Sequence, residues 1–324
     1  MPASDPAQGP AVVALGGGHG LAASLSALRQ LTANLTAVVT VADNGGSSGR
    51  LRDEFGVLPP GDLRMALAAL CGDDQWGQTW ARVLQHRFTS DGELHGHAVG
   101  NLLIVALWEL FEQTGDGLVD GLDWVGRLLG ARGRVLPMAL TPLDITARVR
   151  GVDPAAPYAV SSIRGQVEVA TTAGEVLSVS LDPEVSQACP AAVTAVDEAD
   201  YVVLGPGSWY SSVVPHLLVP DLRNALVRTP ARLIVTMNLE AQSGETEGYT
   251  PEDHVAVLLR QAPDLHIDTV LVDRASAPEH DRLRSAVEAV GAQLMLADVA
   301  ARPGCAQHDP TKLAHAYALA MKAN

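Results

Sequence analysis

Three short stretches collect glycines and small polar residues directly after apolar runs. Gly16, Gly17, Gly18, His19 and Gly20 follow "AVVAL". Asp43, Asn44, Gly45, Gly46, Ser47 and Ser48 follow "NLTAVVTVA". Gly205, Gly207, Ser208, Tyr210, Ser211 and Ser212 lie in the "GPGSWYSS" that follows "YVVL". A loop stripped of side-chain bulk lets a ligand touch backbone amides, and free amides at the start of a helix favour an anion. Hydroxyls at Ser47, Ser48, Ser208 and Ser211 can satisfy phosphate oxygens. Asp43 stands about twenty residues after the first glycine turn, where an acid in a dinucleotide fold accepts a ribose hydroxyl. Arg50 and Arg52 stand behind it as countercharges. The first loop matches neither G-x-G-x-x-G, because Leu21 occupies the last glycine position, nor a P-loop, which needs Lys and Ser/Thr.

A fourth polar stretch, "NLEAQSGETEGYTPEDHV", follows another apolar run. Thr250, Pro251 and Asp253 read as a helix start, with a cap, a first-turn proline and an acid at the third position. Asn238, Gly244, Glu245 and Thr246 are left over as a polar ligand wall, and His254 fits either role. His95 and His97 bracket Gly96, and Asn101 lies one turn after His97, so His97 and Asn101 can face one ligand. With no third ligand nearby, hydrogen bonding or capping is the reading preferred over metal ligation. Asp62, after "LPPG", is either a helix cap or an acidic ligand.

These loops need strands to position them. The run "AVVALGGGHGLAASLSALRQL" passes from a β-branched stretch through glycines into apolar residues at Leu21, Leu25, Leu28 and Leu31. That spacing predicts strand, turn and helix, and "NLTAVVTV" adds a second buried strand. Residues 62–130 read as a helical segment. Residues 131–185 read as a β-rich insertion of short strands separated by Gly or Pro. Strands and helices then alternate to the end. The pattern is a doubly wound α/β, mostly parallel sheet with a helical and β-rich middle, and ligands of such sheets lie beyond the carboxyl ends of the strands. Residues 1–10 read as a disordered lead-in, and 11–324 as one domain.

With 324 residues, 47% of them hydrophobic, the chain can bury a large core. A net charge of -15 repels a nucleic-acid backbone while leaving amide-lined sites open to small anions. The three cysteines form no C-x-x-C pair, which argues against a disulfide framework or zinc knuckle and fits a cytoplasmic location. The first residues carry no secretory-signal pattern, and no apolar run is long enough for a bilayer. A homodimer is compatible with the size.

Taken in order, "ALGGGHGLAASLSALR", "VTVADNGGSSGRLRDEFGVLPPGDLRMALAAL", "GHAVGNLLIVAL", "GRVLPM", "ADYVVLGPGSWYSSVVPHLLV" and "SGETEGYTPEDHV" resemble the motifs of the YvcK family of gluconeogenesis factors, within the CofD-like superfamily. The resemblance spans about residues 11 to 260. It implies a Rossmann-like core and a cytoplasmic protein that binds a nucleotide sugar, typically UDP-N-acetylglucosamine. It also implies a regulatory protein partner and an influence on cell shape and wall-precursor synthesis during gluconeogenic growth. The enzymatic branch of the superfamily transfers a phospholactyl group and holds magnesium partly with acidic side chains. Here Asn44 stands where two acids are usual, His216 where an asparagine is usual, and Gln307 where an arginine is common. The loss of an acid at Asn44 weighs against magnesium chemistry and favours a binding protein over a transferase.

Overall fold

The computed structural model describes residues 9–112, 117–242, 244–277 and 279–322. Val12–Gly16 (β1) is buried along its length, Gly18–Leu28 (α1) follows at once, and Leu35–Val39 (β2) pairs in parallel with β1. The next element departs from the sequence reading. Gly46, Ser47 and Ser48, expected as loop, open a ten-residue helix, Gly46–Phe55 (α2), closed by Gly56 in the left-handed conformation. Glycine and serine are poor helix formers, so α2 owes its start to tertiary anchoring.

Gly61–Leu70 (α3), Gln75–Gln85 (α4), Val99–Glu112 (α5) and Gly117–Leu129 (α6) make up the helical segment. The stretch read as a β-rich insertion divides in two. Arg134–Pro137 (β3) joins β2 in parallel as an edge strand of the main sheet. Asp144–Arg150 (β4) and Val160–Arg164 (β5) belong to a separate antiparallel sheet. "QVEVA", read within a strand-rich run, is the short helix Gln166–Ala170 (α7). Glu175–Asp182 (β6) completes the small sheet, whose order is β5-β4-β6.

The alternating pattern then resumes with Pro190–Asp197 (α8), Tyr201–Leu204 (β7), a π-helical turn at Trp209–Val213, Pro215–Leu218 (α9), Pro220–Arg228 (α10) and Arg232–Thr236 (β8). Pro251–Gln261 (α11), Thr269–Asp273 (β9), His280–Ala289 (α12), Gln293–Ala297 (β10) and Pro310–Lys322 (α13) complete the chain. The seven-stranded sheet has the order β10-β9-β8-β7-β1-β2-β3, with every pairing parallel. The chain steps one way from β1 to β2 and the other way from β7 through β10. Right-handed crossovers therefore put the two sets of helices on opposite faces. α1 packs between α3 and α13, while α8 packs on α10, and α11 on α12. Strands buried on both faces explain the unbroken apolar runs.

The direction reverses between β1 and β7, and a ligand crevice is expected beyond their carboxyl ends. The first and third loops leave the sheet there. Among the described residues no helix is long and apolar enough to cross a membrane.

Candidate functional site

The first and third loops touch. A Cβ at Gly20 would collide with the Pro206 carbonyl oxygen, so this glycine is required by loop packing. The Ser24 hydroxyl on α1 donates to the Gly205 carbonyl at 3.0 Å and meets the Tyr317 hydroxyl of α13 at 2.7 Å. Tyr317 in turn reaches Thr236 Oγ1, at the end of β8, at 3.0 Å. Three elements thus fix the crevice floor.

Helices α1, α2 and α3 all begin at this floor. Gly17 precedes α1, Gly45 precedes α2 and Pro60 precedes α3, none with a side-chain cap. The side chain that approaches the start of α1 is Asp62, which accepts the Gly18 amide. Asp62 caps none of these helices in the usual sense: it lies in the first turn of α3, and its carboxylate reaches across to α1. Asp43 Oδ1 accepts the Gly45 amide at 2.9 Å, while Oδ2 faces the Gly61 backbone at the start of α3. Burial, with the neighbouring Asp43 carboxylate, raises the Asp62 pKa to about 7.

Two neighbouring carboxylates, Asp62 with its proton affinity raised, stand beside three helix N-termini. Arg64, the nearest cation on α3, is itself buried. Burial and Arg87 lower its pKa to about 10, its Nε donates to Asn101 Oδ1 at 2.9 Å, and its Nη1 lacks a partner. Magnesium takes one or two carboxylates and fills its remaining positions with phosphate oxygens and water, and the Asp43–Asp62 pair fits that donor set. Among the described residues, no group of three or more His, Cys, Asp or Glu side chains is placed to hold a metal.

Ser47 and the Asn101 amide are committed to the protein. Ser47 Oγ meets His97 Nδ1 at 3.0 Å and accepts Asn101 Nδ2 at 3.0 Å, and Arg64 takes the other end of Asn101. His97 and Asn101 therefore join through Ser47, as the hydrogen-bonding reading holds, and anchor α2. Burial, with Arg50, holds the His97 pKa below its ordinary value. Ser48 is buried against Gly61, whereas Gly46 is open, with free space where a Cβ would stand.

Asn44 turns away from the acid pair. Its Oδ1 accepts the Val167 amide at 3.1 Å and its Nδ2 donates to Glu168 Oε2 at 2.9 Å, both on α7. The expectation that Asn44 stands in for a lost metal carboxylate is corrected by this geometry, since Asp62 is the acid that sits beside Asp43.

In the third loop, Tyr210 N donates to Glu245 Oε2 at 2.9 Å, and the Ser211 hydroxyl donates to Glu245 Oε1. Glu245 is buried, and burial raises its pKa despite these donors. Thr246 Oγ1 accepts the Gln242 amide at 3.0 Å, and Gly244 packs on Ala170 of α7. The ligand wall read at Glu245 and Thr246 is thus an internal brace. Asn238 holds Gly207 through both ends of its amide, and Gln242 Nε2 reaches Ser208 Oγ at 3.2 Å. Thr250 and Asp253 form a capping box on α11. His254 donates Nδ1–H to the Thr250 carbonyl at 2.8 Å. His216 is fully buried, with ring nitrogens facing the Val213 and Val38 carbonyls, and burial lowers its pKa to about 4.

Beside these loops lies an open cleft of about 730 Å³, lined by His19, Gly20, Gly207, Asn238, Gln242 and Gln307 among others. His308 lines it too, with a buried Nε2 that has no partner. A larger groove of about 1040 Å³ lies at the opposite, amino end of β1, far from this chemistry. The sequence singles out the loops, and the Gln307-His308-Asp309 run near the C-terminus, but not Arg64, Gln166 or Glu168. Nothing in the spacing of these three marks them, because their partners are distant in the chain.

The sequence profile described as 2-phospho-L-lactate transferase CofD matches residues 12–306. A gluconeogenesis-factor relative from Mycobacterium leprae (strain TN), named as putative, is 50% identical over 314 residues, covering 96% of this chain and 86% of its own. The gluconeogenesis factor of Bacillus subtilis (strain 168) is 34% identical over 281 residues, covering 87% of this chain and 84% of its own. A crystal structure of a UPF0052 family member from Bacillus halodurans superposes with a TM-score of 0.82 at 30% identity, covering 95% of this chain and 98% of that one.

Proposed function

Because this chain belongs to the CofD family, and within it to the gluconeogenesis factors, we propose that it is a cytoplasmic regulatory protein that binds a nucleotide sugar of the UDP-N-acetylglucosamine type. The observation that carries the reading is the convergence of three helix N-termini at the point where strand order reverses, with a cleft of about 730 Å³ opening beside the first of them, at His19 and Gly20 of α1. Diphosphate would lie over the starts of α1 and α2, and the nucleoside in the cleft towards Asn238 and Gln307. The bound state would act on a protein partner to adjust cell shape and wall-precursor supply during gluconeogenic growth.

The Asp43–Asp62 pair favours a second reading, a CofD-like transferase acting on a nucleoside-diphosphate-linked substrate. Asp43 and Asp62 would hold magnesium there, and the ion would supply positive charge to the diphosphate, whose anhydride bond is the one such a transfer cleaves, with a nucleoside monophosphate as the leaving group. Thermal unfolding against UDP-sugars, guanosine and adenosine nucleotides and NAD, each with magnesium and with chelator, separates the two. A ligand at a hundred times its dissociation constant adds about 2.7 kcal/mol to the native state. A shift confined to UDP-sugars supports the regulator. A magnesium-dependent shift that prefers guanosine nucleotides supports the transferase, and no shift with any of them overturns both.

A further inference from the structure

Helix α7 has five residues, two of them valine, and its N-cap Gly165 offers no side-chain bond. A helix this short does not hold itself together in water. Its missing cap comes from Asn44, which accepts the Val167 amide and donates to Glu168. A second tie runs from Gln166 Nε2 to the Ser211 carbonyl at 3.2 Å, and Ala170 closes on Gly244. One turn of helix from the small antiparallel sheet is therefore fastened to the second, third and fourth loops. The first of those ties is one residue from Asp43.

We propose that α7 is a strap that docks across these loops and closes on an occupied site, with Asn44 as its latch. The inference rests on the nucleotide reading for what is enclosed, but the docking itself is a property of the free protein. Undocked, α7 loses its cap, so ordering and docking are one event. Ligand that holds the three loops together stabilises the docked form, and docked α7 in turn slows ligand exchange. Asn44 suits the latch because it presents an acceptor to the Val167 amide and a donor to Glu168. An aspartate would set two carboxylates side by side.

Two measurements test this, with UDP and magnesium as the probe. In the variant Gln166→Ala/Glu168→Ala, amide hydrogen exchange over residues 167–171 in the free protein should rise about thirtyfold, the effect expected from two lost hydrogen bonds of ordinary net strength. A Cβ at Gly45 would lie 2.9 Å from Val167 Cγ2, so Gly45→Cys/Val167→Cys can form a disulfide that pins the strap. In a Cys305→Ser background, oxidation should slow UDP association and dissociation at least tenfold relative to the same protein after reduction. Unchanged exchange in the first variant, or identical kinetics in the oxidised and reduced forms of the second, would overturn the strap. If UDP fails to bind wild type while exchange still rises, the nucleotide reading falls and the docked strap stands.

Discussion

Asn238 grips the peptide of Gly207 from both sides: its Oδ1 accepts the Gly207 amide at 2.9 Å and its Nδ2 donates to the Gly207 carbonyl at 2.8 Å. The loop after β8 is thereby locked to the loop after β7, and the amide that the sequence offers to a ligand is already spent. Asn238→Ala leaves both Gly207 groups without their partner, at about 1 to 3 kcal/mol of stability. It should also weaken nucleotide binding, because the Gly207 backbone is then free to move and Asn238 itself lines the cleft. Asn238→Asp restores the acceptor but not the donor and should fall between. Urea unfolding and UDP titration of the three proteins check the order.

Asp62 makes stability depend on pH in a direction opposite to that of a salt-bridged acid. Its pKa rises from 3.8 to about 7 on folding, so between those values the native state holds a proton that the unfolded state has released. Stability contributed by this group is therefore lost as pH climbs from about 4 to about 7. Asp62→Asn should flatten that part of the melting-temperature profile and be more stable than wild type at pH 8. Magnesium at pH 8 should raise the melting temperature of wild type and leave that of Asp62→Asn unmoved. An equal magnesium effect in both would remove Asp62 from the ion's ligands.

Glu245 gives a contrasting case, because burial raises its pKa yet its oxygens are occupied by the Tyr210 amide and the Ser211 hydroxyl. Glu245→Ala strips the π-helical turn of two donors' partner and should cost about 3 kcal/mol in urea unfolding. Glu245→Gln, which can still accept from Tyr210, should cost clearly less. Equal losses in the two variants would mean that packing, and not the hydrogen bonds, holds the turn.

The pattern along the chain carries the architecture further than it carries the site. Apolar strands with glycine-rich exits are legible because burial on both faces and tight turns leave a local signature in β1, β2, β7 and β8. The start of α2 is not, since its helical form depends on Ser47 being held by His97 and Asn101, 50 and 54 residues away. The role of Asn44 is hidden for the same reason: its partner Glu168 is 124 residues distant. "QVEVA" has strand-like side chains and becomes helical where Asn44 caps it. Glycine loops look alike in sequence whether they serve ligand approach or packing, and only the structure separates the two.

That separation can be tested at Gly20 and Gly46. A methyl group at Gly20 meets the Pro206 carbonyl oxygen, and the surrounding backbone leaves it no room. Gly20→Ala should therefore destabilise the fold by about 2 kcal/mol, as overpacking of a tight contact does, and lower nucleotide affinity as the two loops part. Gly46 has φ +49, and no atom lies within 4 Å of where its Cβ would stand. Gly46→Ala should cost about 1 kcal/mol for the left-handed backbone alone. Its methyl group would stand at the first turn of α2, where diphosphate is placed. The expected outcome is a modest loss of stability at Gly46 joined to a loss of UDP binding at least as large as at Gly20. If Gly46→Ala binds UDP as wild type does, the start of α2 is not part of the anion site, and the diphosphate must rest on α1 alone.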